Sequence, residues 1–286
     1  MKLKAPAKIN LGLSILGRLA NNYHQVKTVY TQISLFDLIE IEEIKSRKTE
    51  IKVNWEGIPV DEKNLVWQAV ELVKQKTGVK KGVRIKLKKQ IPAGSGLGGG
   101  SSDAAAALKG LNKFWGLGLS LEELVEISKE IGADVAYQLV GGVKLEVQGG
   151  GRAGEFKDLG RLPKTEIVIC VPNQKRTSQE AYREVDYSRI GKNDLSDLVG
   201  VVKKRDLKMI GENLHNDFEA WTISKFPEVK MIKEKMIKSG AEGALMSGKG
   251  LAVFGLFRTK IEASRIWREL KKDYNKSYLV ESYYGD

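Results

Sequence analysis

Sulfur and imidazole are scarce in this chain of 286 residues, which has one cysteine, Cys170, and two histidines, His24 and His215. One cysteine cannot close an intramolecular disulfide or build a cysteine zinc cluster, and two histidines do not make a multi-histidine metal site. Cys170 lies in the apolar run EIVIC, the setting of a small buried thiol. Long apolar runs are missing as well. None approaches the roughly 18–20 residues that cross a bilayer, and the N-terminal MKLKAPAKIN has no apolar signal core. Neither a membrane nor secretion is expected, and the chain reads as cytoplasmic. Internal repeats and low-complexity tracts are also absent.

What is present is an ordinary globular composition, 42% hydrophobic and 29% charged, in a chain long enough for two domains. Lysine and arginine outnumber the acids by 48 to 36, which gives a net charge of +12 and a pI near 9.5. Such an excess raises the question of nucleic acid. The lysines are interleaved with acids, as in KEKMIK, or spaced along strands, as in RIKLKK. That pattern describes a solvated surface that favours anionic ligands.

Alternating short elements follow one another along the chain. KINLGLSIL alternates strictly, with Ile9, Leu11, Leu13 and Ile15 on one face and Lys8, Asn10 and Ser14 on the other, so a strand is expected whose polar face looks outward. A β-rich stretch from Lys27 to Val53 precedes a helical stripe of Leu65, Ala69, Leu72 and Val73, and VRIKL returns to strand alternation. These segments read as an antiparallel meander. Ala104, Leu108, Leu111 and Trp115 then recur at helical spacing. SLEELVEISKEIG supplies a capping box, Ser120 with Glu123, and a stop at Gly132. Residues 149–163 read as a loop and domain boundary, which divides the chain into 1–155 and 156–286. Beyond it come a strand at 165–171, several helices, a strand pair around GALMSGKGLAVFGLF, a helix near 261–273 and a last strand, YLVESYY. Hairpins mixed with helices place the chain in the α+β class.

The strongest local signal is PAGSGLGGGSSDAAAAL at 92–108, where five of the seven residues 94–100 are glycine. Backbone amides cradle an anion only where no Cβ obstructs it, and a helix N-terminus adds about half a positive charge at the same place. A structural turn needs fewer glycines, so the loop reads as a phosphate site. No lysine follows the glycines as Walker A requires, and the GxGxxG formed by Gly94, Gly96 and Gly99 is a weak pattern by itself. The HRD and DFG companions of protein kinases are missing too.

The loop resembles the second motif of the GHMP small-molecule kinases. PAKINLGL at 6–13, GADV at 132–135 and GALMSGKG at 243–250 extend the resemblance across nearly the whole chain. Within that family the set is similar to the branch whose acceptor is a cytidine diphosphate-linked methylerythritol. The resemblance implies a two-domain α+β GHMP kinase fold, with a ribosomal-protein-like N-terminal domain, a ferredoxin-like C-terminal domain, and ATP and acceptor meeting between them. It also implies ATP with Mg2+, no nucleic acid or membrane partner, and a monomer or homodimer. Transfer of the γ-phosphoryl group to an alcohol is then a matter of positioning and charge stabilisation.

The resemblance assigns the roles residue by residue. Asp134 orients or deprotonates the acceptor hydroxyl, although by residue type alone it also reads as a helix N-cap. Lys8 stands beside it and meets the transferring phosphate, and Asn10 holds the substrate hydroxyl or the aspartate. Pro92, Ala93, Gly94, Ser95, Gly96, Leu97, Gly98, Gly99, Gly100, Ser101 and Ser102 wrap the ATP phosphates. Ser102 is placed to ligate magnesium, with a plain helix cap as the other reading. Lys89 and Asn64 lie near the adenosine. Tyr23 and His24 present rings to the cytosine, and Tyr182 stacks on it, whereas an isolated tyrosine at that helical position would read as core.

Some positions depart from the family pattern. GYH is NYH, with Asn22 in place of glycine, GADVPFF is GADVAYQ, GRGE is GRAGE at 151–155, and SGSGPT is SGKGLA. Lys249 thus stands where a small serine is usual, and is expected to reach a phosphate of the substrate or of ATP. Two other readings compete: a GHMP kinase for another alcohol, mevalonate-like or homoserine-like, and a basic RNA-binding protein. Tyr23, His24 and Tyr182 favour a cytidine-bearing acceptor, and the lack of aromatic platforms interleaved with arginine speaks against RNA.

Overall fold

The computed structural model describes residues 1–19, 24–148, 153–174, 178–183, 185, 190, 193–285. The chain divides into two compact units, each assembled from separate stretches. The first comprises Met1–Ala7, Leu35–Ala93 and Gly98–Val140, and the second Lys8–Ser34, Gly94–Leu97 and Gly141–Asp286. Two long strands, β1 (Lys2–Arg18) and β2 (His24–Ile44), contribute residues to both.

The first unit contains β3 (Thr49–Val53), α1 (Leu65–Thr77), β4 (Gly82–Lys88), α2 (Gly99–Trp115), α3 (Leu121–Ser128) and α4 (Ala133–Val140). β4 pairs antiparallel with Leu38–Ile44 of β2 but parallel with β3, in register Thr49↔Val83 to Val53↔Leu87. The expected meander is therefore corrected. Thirteen residues of α1 supply the crossover that a parallel pair requires, started by the Asn64 side chain accepting from Val66 N and ended by Gly78 at φ 72°. The capping box of α3 is present, with Ser120 accepting from Glu123 N and Glu123 from Ser120 N. Ile39, Ile85, Val70 and Leu111 meet in one core cluster, and Ala104, Leu108, Leu124 and Val135 in another. Alanine keeps the α2 face thin enough for both.

The second unit adds β5 (Lys144–Gln148), β6 (Phe156–Asp158), β7 (Glu166–Cys170), α5 (Ser178–Arg183), α6 (Ser196–Lys204), α7 (Leu207–Glu212), β8 (His215–Asn216), α8 (Glu219–Lys225), α9 (Pro227–Lys238), β9 (Gly243–Met246), β10 (Val253–Phe257), α10 (Lys260–Asp273) and β11 (Ser277–Glu281). Strand β6 falls inside the stretch expected to be loop, where it pairs with β5 from Lys144↔Asp158 to Glu146↔Phe156. Three residues with one apolar side chain give no legible alternation. A four-stranded antiparallel sheet runs in the order β11-β7-β10-β9. Its core joins Val168, Val253 and Phe257 of the strands to Ile232 and Met236 of α9 and Ile266 and Leu270 of α10. Cys170 lies in this core fully buried, its thiol pushed up to about 12 by burial, with the Ser277 hydroxyl 3.5 Å from its sulfur. Among the described residues no helix is long and apolar enough to cross a membrane.

Candidate active site

Strand β1 opens the site. Its apolar residues are buried as the alternation predicts, but its polar face is buried too: Lys8 is 4% and Asn10 2% exposed. The expected outward face is corrected, and the reason is visible in the partners. Lys8 Nζ donates to Asn10 Oδ1 at 2.6 Å, Asn10 Nδ2 donates to Thr28 Oγ1 at 2.8 Å, and Thr28 Oγ1 donates to Gly12 O at 2.8 Å. A buried ammonium is tolerable only with such acceptors around it. Its Nζ also lies 5.5 Å from the centroid of the Tyr30 ring.

Hydrogen bonds within the second unit tie this strand to two loops. Lys8 N donates to Leu97 O at 2.9 Å, and Asn10 N donates to Ser247 Oγ at 3.4 Å. Ser247 Oγ in turn donates to Gly96 O at 3.2 Å, and Ala252 N donates to Ser95 O at 3.0 Å. At Gly96 (φ 90°) a Cβ would fall 2.2 Å from Ser247 O, so glycine is required there by both space and conformation. Asn216, from β8, holds the same turn by donating to Met246 O at 2.8 Å and Gly248 O at 2.9 Å. Residues 8–10, 95–97 and 247–252 thus form one hydrogen-bonded patch. The sequence singled out Lys8, Asn10 and the glycines; Thr28, Asn216 and Ser247 carried no local signal beyond Ser247's place in SGKG.

The loop continues into α2 in the first unit. Gly98, at φ 71°, occupies the N-cap without a side-chain hydrogen bond, so the first amides of α2 are left to another acceptor. Ser102 is 1% exposed, and its hydroxyl has no hydrogen-bond partner among the described residues. An orphaned buried hydroxyl one turn into such a helix suits a cation or a phosphate oxygen. Among the described residues no group of three or more His, Cys, Asp or Glu could hold a metal by itself.

Lys89 and Asn64 serve the framework in this structure. Lys89, 5% exposed, contacts the carboxylate of Asp37 and lies 2.5 Å from Asp103 Oδ2. Asp37 also accepts from the amides of Gln90 and Ile91 (2.9 Å for the latter), so the cluster fastens the strand end before the loop to α2 after it, just past its first turn. Burial, with Asp37 adding repulsion and Lys89 opposing it, raises the Asp103 carboxyl to about 8. Neither Asp37 nor Asp103 was anticipated, being 52 and 14 residues from Lys89. Asn64 caps α1 and donates to Pro59 O at 2.6 Å. Asp134 lies in the first turn of α4, bracketed by the Val135 N to Gly132 O bond of 3.0 Å, and is partly exposed.

Rings gather in the second unit. His24 and Tyr182 stack with centroids 4.6 Å apart at 13°, and Tyr182 meets Phe218 edge-on at 5.2 Å. Burial first, then the charges of Arg18 and Lys249, hold His24 below its ordinary value, so it stays neutral. Lys249 Nζ lies 4.9 Å from the Tyr182 ring centroid. Tyr23, with Asn22 beside it, lies outside the described residues.

Comparison with known proteins settles the class. The GHMP kinases N terminal domain model matches residues 64–142, and the GHMP kinases C terminal model residues 198–276. The chain belongs to the GHMP kinase family. It is 41% identical over 280 residues to the 4-diphosphocytidyl-2-C-methyl-D-erythritol kinase of Listeria monocytogenes serotype 4b (strain CLIP80459), covering 98% of this chain and 94% of that one. A crystal structure of 4-(cytidine 5'-diphospho)-2C-methyl-D-erythritol kinase superposes on this GHMP kinase with a TM-score of 0.82 at 30% identity, covering 100% of both chains. The homoserine kinase of Cytophaga hutchinsonii shares the fold, with a TM-score of 0.78 at 21% identity over 99% of this chain and 94% of that one. Members of the GHMP family are small-molecule kinases that use ATP, and the two-domain α+β fold expected from the motifs is the one found.

Proposed function

We propose that this kinase transfers the γ-phosphoryl group of ATP to the 2-hydroxyl of 4-diphosphocytidyl-2-C-methyl-D-erythritol, a step of non-mevalonate isoprenoid synthesis. Residues 1–155 form the nucleotide-binding part in this reading, and 156–286 the C-terminal domain. The observation that carries the acceptor is the parallel His24–Tyr182 pair, which suits a flat heterocycle and has no use for a mevalonate-like or homoserine-like alcohol. Tyr23 is the third ring assigned to the same base.

Each remaining role follows from the chemistry of phosphoryl transfer. The amides of Gly94–Ser102 take the phosphates, with Pro92 and Ala93 leading into the loop. Lys8, its charge screened from water and oriented by Asn10, stabilises the negative charge on the moving group. Asp134 accepts the hydroxyl proton. Magnesium, when bound, neutralises charge on the β- and γ-phosphates, and the Ser102 hydroxyl is the protein group that would hold it. The test is ATP consumption with purified enzyme across a panel of alcohols. Turnover with the cytidylated tetritol and none with mevalonate or homoserine is expected; the reverse pattern moves the acceptor to another branch.

A further inference from the structure

Lys249 sits on a backbone that has little freedom to move. Gly248 precedes it at φ 59°, where a Cβ would lie 3.1 Å from Asn10 Oδ1 and 3.4 Å from Lys8 Nζ. Gly250 follows, and a Cβ there would lie 2.1 Å from the carbonyl carbon of Ser95 and 2.3 Å from Gly96 N. Asn216 holds the Gly248 carbonyl from a third side. The lysine's Cα is thus fixed between the Lys8–Asn10 pair and the glycine loop, all in one unit. Its side chain is partly exposed, with the ammonium laid over Tyr182.

That resting place conflicts with base stacking. His24 and Tyr182 are already in contact, at 4.6 Å between centroids, and leave no gap for a third ring. A base that stacks on Tyr182 must take ring surface from a group now on it, His24, Phe218 or Lys249. The cation–π contact at a partly exposed site is the weaker hold, and a phosphate offers the same ammonium a charge-assisted hydrogen bond. Arg18 and Lys249 both bring positive charge to His24, adding to the burial that chiefly lowers it.

Resting on the cytidylated acceptor proposed above, we propose that Lys249 is a substrate-binding lysine that leaves the Tyr182 ring as a nucleoside diphosphate arrives and holds its diphosphate. One side chain then reads two parts of the ligand. It guards the ring until a base comes with phosphates attached, so a bare nucleoside gains the stack but forfeits the ion pair.

Calorimetric titration of the full chain with CDP, CMP and cytidine tests this, in wild type and in Lys249→Met, Lys249→Ser and Lys249→Arg. Lys249→Met and Lys249→Ser should weaken CDP by about tenfold or more, leave cytidine equal or tighter, and flatten the salt dependence of CDP binding, while Lys249→Arg retains most of the affinity. Equal losses for CDP and cytidine would show a lysine that only packs the ring, and unchanged CDP affinity would show no phosphate contact; either result overturns the proposal while the acceptor reading stands. A wild type that binds none of the three ligands overturns the acceptor reading and this one with it.

Discussion

Single side chains decide the chemistry proposed for this kinase, and two of them can be tested directly. Asp134 is partly exposed in the first turn of α4, and Asp134→Asn keeps the size of the side chain while removing its charge. It should lower kcat by about 10²–10⁴ with the KM for ATP and the melting temperature nearly unchanged. Steady-state kinetics beside thermal melts check this, and a loss of stability with less than a tenfold effect on kcat would return Asp134 to a structural role. His24 is held below its ordinary value of 6.5, so it gains its proton only at a lower pH. KM for the cytidylated acceptor should therefore stay flat as pH falls through the usual histidine range and rise only below it. Removing the Lys249 charge should move that rise to higher pH, since one of the charges opposing protonation is gone. At this scale the sequence was legible where residue type and strand face sufficed, as for Lys8 and Asn10. Their burial was not, because alternation shows which side chains share a face and says nothing of what covers it.

Elements place those side chains, and here contacts distant in sequence matter most. The glycine loop is fastened at both ends by three buried ionisable residues: Lys89 at its start, Asp103 in α2 and Asp37 in β2. The folded protein keeps a proton on Asp103 up to about pH 8, whereas an unfolded chain releases it near 3.8. Between those values the folded state binds more protons, so this group's contribution to stability falls as pH rises through the window and is lost above pH 8. Asp103→Asn imitates the protonated form. Melting temperatures of the variant and the wild type should diverge from pH 5 to pH 8 in the variant's favour, and parallel curves would refute the assignment. None of this cluster was readable from the chain, since Asp37 looks like any acid beside a strand. The glycine loop, the capping box of α3 and the stripe on α2 were readable, because each is a local rule spanning a few residues. The parallel β3–β4 pair was missed for the opposite reason: direction depends on a crossover, and strand alternation is the same either way.

At the scale of the molecule, composition excluded more than it identified. One cysteine and two histidines removed disulfides and histidine metal centres from consideration, and the net charge of +12 left nucleic acid open until four ordered motifs and the family match made the chain a kinase. The scarcity of sulfur has one more use. Cys170 sits in the middle of the β7 sheet core, wholly out of water and far too weak an acid to form thiolate at neutral pH. A maleimide or disulfide reagent should find nothing to attack in the native enzyme and exactly one handle per chain once that sheet opens. The rate of modification, followed over denaturant, then clocks the opening of the second unit alone, and slower labelling with bound nucleotide would measure how far ligand and sheet are coupled.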